Sequence, residues 1–267
     1  MSGESSTKSG MQDSSAFISD IVLRTEGLTK TFSGFTAVKN LDLNIKRGSV
    51  HALIGPNGAG KTTVFNLLTS FIHPTAGKIY FNDENITSMA PAEVARRGLV
   101  RSFQISAVFP NLTVLNNVRI ALQRPKGLAT QWWRSEKILD RLDERCMELI
   151  DSVGLNKYQD SLAAELSYGR KRALEFATTL ALDPEVLLLD EPMAGMGRED
   201  IGRIASLIKA VSNGRTVVMV EHNLSVVADL CDCVTVLQRG EILAAGSYQE
   251  VSSNPAVREA YLGTDHE

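Results

Sequence analysis

The sequence lacks several features that would assign it to particular protein classes. No apolar run approaches the roughly 18 to 20 residues that a membrane span requires. The 267 residues carry a net charge of −3, so no excess of positive charge points to a nucleic-acid partner. The chain begins with polar residues rich in Ser and Gly, unlike a secretory signal. We therefore expect a protein that neither spans a membrane nor binds nucleic acid.

Cysteine is also scarce, since the chain contains only Cys146, Cys231 and Cys233. The Cys231-x-Cys233 pair has no second pair of ligands, which makes a zinc site a poor interpretation. We interpret the three cysteines as small apolar side chains in a reducing cytosol.

What the sequence does contain is a phosphate-binding loop. Residues 55–63 match G-x-x-x-x-G-K-[ST], between an apolar run that predicts a buried strand and a run that predicts a helix. The glycines allow successive backbone amides to point at phosphate oxygens, Lys61 can reach the β- and γ-phosphates, and the Thr62 hydroxyl can hold Mg²⁺. An accidental glycine-rich turn is the alternative, which the flanking elements disfavour. The expected nucleotide-binding residues here are Gly55, Pro56, Asn57, Gly58, Ala59, Gly60, Lys61, Thr62 and Thr63.

Strand and helix patterns alternate on both sides of a segment without strand signals. Apolar runs predict strands beginning at Ile21, at Val186 and at Thr216, and alternation over Leu41–Ile45 predicts a half-buried strand. The fold class that follows is α/β, with a mainly parallel sheet covered by helices on both faces.

The segment from 105 to 164 is predicted to be a helical insertion. Thr113 is expected to cap one helix, and apolar residues recur at helical spacing from Ile138 to Val153. Trp132 and Trp133 precede this second helix and are interpreted either as packing at its cap or as a partner contact. The predicted organisation is a flexible tail (1–20), a first core part (21–104), the helical insertion (105–164) and a second core part (165–267).

Polar residues stand where several predicted strands end. These are Gln104, Asp190, Glu191 and His222. The carboxyl ends of parallel strands line the active crevice of open sheets, so we expect these residues to converge on the phosphate loop. Asp190 then suits Mg²⁺ binding and Glu191 suits polarisation of the attacking water, although the pair could instead cap a helix. His222 alone is weak evidence, but its position suits a γ-phosphate contact.

These residues together resemble the ATP-binding subunit of an ABC transporter, from about residue 21 onward. The segment Leu166–Arg170 resembles the family's signature, Gln104 its Q-loop and His222 its switch histidine. Phe32 matches the aromatic residue that stacks on adenine, although on spacing alone it is better interpreted as packing at a strand end. The resemblance implies a P-loop NTPase core of RecA type with an antiparallel β subdomain and an inserted helical lobe.

The details are most similar to the ATPases of branched-chain amino acid importers. The segments that carry this are Leu166–Gly169, Ala194–Met196, Val220–Asn223 and 254–263. Two positions depart from the family pattern. Arg170 replaces the usual Gln or Asp of the signature, and the aspartate expected near Met196–Gly197 is missing, so dimer contacts or turnover are expected to differ from the norm.

The resemblance implies two copies, identical or paralogous, that face head to tail and close on two ATP molecules. Lys61, Thr62 and the loop amides would hold one ATP, and Ser167 and Gly169 of the opposite copy would cap its γ-phosphate. Thr62, Gln104 and Asp190 would serve Mg²⁺. Lys61, Gln104, Glu191 and His222 form the implied catalytic set, with Gln104 also relaying nucleotide state to the helical lobe.

The implied partners are transmembrane permease subunits and, indirectly, a solute-binding protein, which would place the chain at the cytoplasmic face of the cell membrane. Uptake of branched-chain or related amino acids is the expected function. The alternatives are another transport system for urea, amides or lipid export, or a soluble ABC-type ATPase. A P-loop kinase would leave the signature segment and His222 without a role.

Overall fold

The computed structural model describes residues 20–102, 108–123 and 136–262, in which strands form two sheets. The strands are β1 (Ile21–Phe32), β2 (Phe35–Leu41), β3 (Asn44–Lys46), β4 (Val50–Ile54), β5 (Ala76–Phe81), β6 (Glu84–Asn85), β7 (Leu99–Ser102), β8 (Val186–Asp190), β9 (Thr216–Val220), β10 (Cys233–Gln238) and β11 (Glu241–Gly246). The helices are α1 (Lys61–Leu68), α2 (Pro91–Arg96), α3 (Val114–Gln123), α4 (Glu136–Ser152), α5 (Tyr168–Leu180), α6 (Arg198–Val211), α7 (Leu224–Leu230), α8 (Tyr248–Ser253) and α9 (Pro255–Leu262).

The central sheet has six strands in the order β11-β10-β4-β9-β8-β7. The five strands from β10 to β7 are mutually parallel, and β11 pairs with β10 in the antiparallel sense. Every residue of β4, β8 and β9 is buried, as expected for parallel strands that are covered on both faces. The mainly parallel α/β core predicted from the sequence is therefore confirmed.

The second sheet is antiparallel, with the order β2-β1-β5-β6 and β3 paired with β1. The prediction of one strand over Leu41–Ile45 was wrong in one respect, because the chain leaves the strand between β2 and β3. The Thr25 hydroxyl explains the break, since it donates to the Leu41 carbonyl (2.7 Å) and accepts from the Leu43 amide (2.9 Å). The predicted alternation of buried and exposed residues is nevertheless present.

The first strand is much longer than the apolar run at Ile21 suggested. β1 continues through a positive φ of 55° at Gly27 to Phe32, and its pairings with β2 and β5 both shift register near this glycine. The strand thereby serves both β5 and β2, and it carries Phe32 to the end of a hairpin whose other strand starts at Phe35.

The helical insertion contains α3 and α4 as predicted. The Thr113 hydroxyl accepts a hydrogen bond from the Asn116 amide (3.2 Å) and so caps α3. Leu142, Cys146 and Leu149 on α4 are buried in the same core as Val118 on α3. This core is shared with α5 and the central sheet, so α3 and α4 pack directly on the central sheet.

Several predictions fall outside the described residues. They concern the tail up to residue 19, Gln104 and the boundary that follows it, Trp132 and Trp133, and the last five residues. Within the described ranges, no helix combines the length and apolar character needed to cross a membrane.

Candidate functional site

The phosphate-binding loop joins β4 to α1 and has a backbone that glycine alone adopts easily. Gly55, Gly58 and Gly60 have φ values of 150°, 77° and 102°. A Cβ atom at Gly60 would lie 2.5 Å from the Ala37 carbonyl oxygen, and one at Gly55 would lie 2.2 Å from the Leu237 carbonyl oxygen. Neighbouring strands therefore hold the loop so closely that side chains are excluded at both positions.

Lys61 is the first residue of α1, and its side chain folds back over the loop. The buried ammonium group donates to the carbonyl oxygens of Gly55 (2.7 Å) and Pro56 (3.0 Å). Burial lowers the pKa of Lys61, and the negative charges of Glu191 and Asp190 partly oppose this shift. The lysine thus lies inside the loop and within the electrostatic reach of both carboxylates predicted for the site.

The carboxyl ends of β4, β9 and β8 lie side by side in the sheet and bring the predicted polar residues together. Asp190 pairs in register with Val220, so Glu191 and His222 follow the ends of adjacent parallel strands. Glu191 has a left-handed backbone (φ 46°), and its side chain lies 3.0 Å from Nε2 of His222. The convergence of Lys61, Asp190, Glu191 and His222 is a structural finding, and their catalytic roles remain predictions.

The ion-pair partner of Asp190 was not predicted from the sequence. The Asp190 carboxylate forms an ion pair with Arg101 on β7, and the guanidinium also donates to Asn66 Oδ1 on α1 (2.6 Å). Arg172 on α5 donates to the Asp190 backbone carbonyl at 3.4 Å. Asp190 is 2 % exposed. Arg101 therefore holds its side chain and Arg172 its backbone inside the protein.

Glu221 is a second functional residue that was not predicted from the sequence. Its carboxylate is buried and accepts backbone hydrogen bonds from Met193 (3.0 Å), His222 (2.8 Å) and Asn223 (3.0 Å). The one sequence feature that could have identified Glu221 is its position at the end of β9, directly before His222.

Phe32 lies at the hairpin that closes β1 and β2. Its side chain is 43 % exposed, and the Lys30 ammonium lies 5.1 Å from the centre of its ring. The same hairpin carries Ala37 against Gly60 of the phosphate loop. Phe32 is thus an exposed aromatic residue on a hairpin that packs against the phosphate loop. Stacking on the base of a bound nucleotide requires both this exposure and this proximity.

The signature segment lies at the N-terminus of α5. Ser167 is the N-cap residue, yet its side chain makes no capping hydrogen bond, and it is exposed. Gly169 is buried so closely against α6 that a Cβ atom would lie 2.5 Å from Asp200 Oδ1. The Tyr168 hydroxyl donates to the Ala194 carbonyl (3.1 Å), which ties the segment to the loop after Glu191.

The departure at Arg170 has a local partner. The Arg170 guanidinium on α5 lies 4.1 Å from the centre of the ring of Tyr158, a cation–π contact between α5 and the segment that precedes it.

The chemistry of the site suits a hard cation held together with phosphate. Thr62 and Asp190 offer the oxygen ligands that Mg²⁺ prefers, and Mg²⁺ bound with a nucleotide takes few protein ligands. Among the described residues, no group of three His, Cys, Asp or Glu side chains could hold a metal by itself. Gln104, the third predicted Mg²⁺ residue, lies outside the described residues.

An apolar groove lies between α2, β7 and the described part of the helical insertion. Its cavity has a volume of about 490 Å³. Phe71, Phe109 and Ile120 line it and are 50 %, 52 % and 40 % exposed. Three large apolar side chains on one exposed groove are characteristic of an interaction site.

Comparison with known families gives two matches along the chain. Residues 38–194 match the family described as ABC transporter, and residues 241–267 match the one described as branched-chain amino acid ATP-binding cassette transporter. The second match begins at β11 and covers the C-terminal helices.

Individual relatives agree with these matches. The high-affinity branched-chain amino acid transport ATP-binding proteins LivG of Escherichia coli K12 and BraF of Pseudomonas aeruginosa are each 35 % identical. The alignments cover 92 % of this chain and 99 % of LivG, and 91 % and 98 % for BraF.

Solved structures show the same fold. The ADP conformation of MJ1267, an ATP-binding cassette of an ABC transporter, has a TM-score of 0.80 at 30 % identity, covering 91 % of this chain and 99 % of that one. The dimeric post-hydrolysis state of MJ0796 bound to ADP and Pi has a TM-score of 0.71 at 25 % identity, covering 85 % and 98 %.

Proposed function

The chain belongs to the ABC transporter ATP-binding family and is an ATPase cassette, and we propose that it powers an importer of branched-chain or closely related amino acids. The observation that carries the ATPase part of the proposal is the convergence of Asp190, Glu191 and His222, at the ends of adjacent parallel strands, on Lys61 of the phosphate loop. The C-terminal match at residues 241–267 and the role of LivG and BraF in branched-chain amino acid transport support the amino acid substrate.

The loop and its surroundings support binding of ATP with Mg²⁺. The glycine backbone leaves amides free to contact phosphates, and the N-terminus of α1 adds partial positive charge. On binding, we expect the Lys61 ammonium to exchange the carbonyls of Gly55 and Pro56 for the β- and γ-phosphates. Phe32 would stack on the adenine ring, and Thr62 and Asp190 would hold Mg²⁺, which neutralises charge on the transferred phosphate.

Glu191 and His222 are the residues proposed to act on the attacking water and the γ-phosphate. The Glu191 carboxylate can accept a proton from the water or orient it, and His222 can contact the γ-phosphate from the neighbouring strand. Their contact at 3.0 Å places both groups on the same side of the site.

A second copy is proposed to complete the site. Ser167 has a hydroxyl without a capping bond, and the amides at the start of α5 have no partner within their own helix, so together they suit an anion. Gly169 lies against Asp200 of α6, so its proposed part in the cap is its backbone amide. In a head-to-tail dimer these groups would cap the γ-phosphate held by the partner's loop, so ATP would join the two copies. The dimeric state of the MJ0796 structure supports the pairing of two copies.

The apolar groove is the proposed docking site for a permease subunit. Transport requires a membrane-spanning path, and the groove lined by Phe71, Phe109 and Ile120 offers the exposed apolar surface that a partner segment would bury. Docking there would hold the chain at the cytoplasmic face of the membrane, and a solute-binding protein would deliver the amino acid to the permease.

The experiment that tests the function is reconstitution with the permease subunits that co-purify with the protein. We expect ATP-dependent uptake of leucine into proteoliposomes, with no uptake when Lys61→Ala replaces the native chain. Lys157→Ala, a change of an exposed lysine far along the chain, is the matched control and should transport normally. Unchanged nucleotide binding by Lys61→Ala would contradict the role of the loop, and uptake of urea or lipid instead of leucine would contradict the substrate class.

A further inference from the structure

Glu221 is a buried carboxylate that accepts hydrogen bonds from three backbone amides. It follows the last residue of β9 and is 4 % exposed. One oxygen accepts from the Met193 amide at 3.0 Å, and the other accepts from the amides of His222 at 2.8 Å and Asn223 at 3.0 Å. Burying a carboxylate is costly unless such bonds compensate it, so this arrangement stabilises a specific local geometry.

The three amides belong to two loops that carry the proposed reacting groups. Met193 lies two residues after Glu191, in the loop that leaves β8, and His222 belongs to the loop that leaves β9. The carboxylate of Glu221 therefore joins the loops on which Glu191 and His222 are mounted. The side chains of that pair meet at 3.0 Å.

A simpler role as a cap for the following helix does not account for these bonds. α7 begins at Leu224 and has its own cap, because the Asn223 side chain accepts from the amides of Ser225 (3.2 Å) and Val226 (3.4 Å). The bond to Met193 also spans 28 residues and reaches a different strand end, which no helix cap explains.

We propose that Glu221 is a positioning residue that sets the relative position of Glu191 and His222 by joining the loops after β8 and β9. The proposal rests on the proposed roles of Glu191 and His222. It requires a carboxylate, because two acceptor oxygens face three donors. A glutamine would turn its NH₂ group toward at least one amide, and that contact would become repulsive without a change in side-chain size.

The test is Glu221→Gln in the full-length protein, with Glu148→Gln on the exposed face of α4 as the matched control. We expect kcat for ATP hydrolysis to fall about tenfold to 100-fold, since a displacement of about 1 Å can cost about 100-fold. The affinity for ATP should change little. The repulsive contact at a buried site should lower the midpoint of urea unfolding, so kcat is corrected for the folded fraction of each protein. Glu148→Gln should match the native protein in all three measurements.

A double substitution separates positioning from a general loss of structure. In the Glu191→Gln background, single-turnover hydrolysis should fall less than about twofold further when Glu221→Gln is added, because residues that act through one another are not additive. An equal fall in both backgrounds, or native turnover by Glu221→Gln, would overturn the positioning role. Native turnover by Glu191→Gln would instead overturn the proposed function of the site, so the two failures are distinguishable.

If Glu221→Gln yields no folded protein, hydrogen exchange of the native protein measured by NMR decides the matter. The amides of Met193, His222 and Asn223 should exchange at similarly slow rates, because they share one acceptor group. Fast exchange at Met193 beside slow exchange at His222 would show that the two loops are not joined, which overturns the proposal.

Discussion

The guanidinium of Arg101 forms an ion pair with the carboxylate of Asp190, the residue proposed to serve Mg²⁺. The two side chains are 11 % and 3 % exposed, so the pair is shielded from solvent. Arg101 follows two buried apolar residues on β7 and also donates to Asn66 on the helix after the phosphate loop. The Arg101 guanidinium thus neutralises the charge of the Asp190 carboxylate inside the protein.

Arg101→Gln should destabilise the nucleotide-free protein far more than the nucleotide-bound protein. The substitution leaves the Asp190 charge buried and unpaired, which costs about 3 kcal/mol of unfolding free energy in such sites. Bound Mg²⁺ would supply the missing positive charge. Urea unfolding with EDTA, and again with MgADP, measures the difference.

Arg97→Gln is the control for this measurement. Arg97 pairs with Glu84 and Glu93 at the surface, where an ion pair contributes no more than about 1 kcal/mol. Equal destabilisation of Arg101→Gln with and without MgADP would contradict a link between Arg101 and the metal.

The sequence predicted the core of the site because its signals are local. Three apolar runs predict strands, and a short polar or glycine-rich segment directly follows each of them. The first run is followed by the glycine loop, the second by Asp190 and Glu191, and the third by His222. Parallel pairing then places them together, since a parallel sheet aligns the ends of its strands. This reasoning needs no knowledge of distant contacts.

The features that the sequence did not predict depend on partners far along the chain. Arg101 is one polar residue within an otherwise apolar strand, and its partner lies 89 residues away. The break after Leu41 is caused by the Thr25 hydroxyl, 16 residues earlier. Glu221 follows a strand in the sequence like many other polar residues, and only the structure shows its hydrogen bond to the Met193 amide. Residue type alone carries no signal for such contacts.

The buried histidine of β4 predicts a pH dependence of stability. His51 is 2 % exposed, its Nε2 lies 2.8 Å from the Thr235 hydroxyl, and burial lowers its pKa to about 4 from 6.5. Between these values the unfolded chain binds a proton that the folded protein does not. Stability should therefore fall as the pH drops from 6.5 toward 4, by up to about 3 kcal/mol from this residue.

The measurement is urea unfolding at several pH values from 7 to 4, for the native protein and for His51→Gln. The variant has no imidazole to titrate, so its stability should fall less steeply over this interval. Parallel curves for the two proteins would show that His51 titrates alike in the folded and unfolded states.

The C-terminal helix α9 contacts the phosphate loop through Tyr261. Burial raises the pKa of the Tyr261 phenol to about 12, and a hydrogen bond from the Gly55 backbone acts in the opposite direction. Tyr261→Phe should remove this bond, lower the unfolding free energy by about 1 kcal/mol and weaken ADP binding, because the loop loses a support. Calorimetry and thermal unfolding check both effects. Tyr248→Phe, a change at the same small cavity, should leave ADP affinity unchanged.

The groove predicts a substitution that separates docking from hydrolysis. Ile120→Asp places a charge on the apolar surface, so the permease subunits should no longer co-purify, whereas the ATPase rate of the isolated protein should stay near the native value. Met147→Asp on α4 is the control, since Met147 is similarly exposed at 37 % but does not line the groove. Loss of permease with both variants would show that the groove is not the specific docking site.

Glu191→Gln should bind ATP but hydrolyse it at least about 100-fold more slowly than the native protein, the scale that a general base contributes. The amide has nearly the size of the carboxylate, and both residues tolerate the left-handed backbone at φ 46° to the same extent, so the fold should be unaffected. The amide cannot take a proton from water.

If hydrolysis is what separates two copies joined by ATP, the Glu191→Gln variant should accumulate as a dimer when ATP and Mg²⁺ are added. Light scattering after size-exclusion chromatography measures this, and Glu148→Gln should remain monomeric once its ATP is consumed. Rapid hydrolysis by Glu191→Gln would remove the residue from the proposed mechanism. Slow hydrolysis without a dimer would keep Glu191 in its role and instead contradict the capping of the γ-phosphate by Ser167 and Gly169 of a second copy.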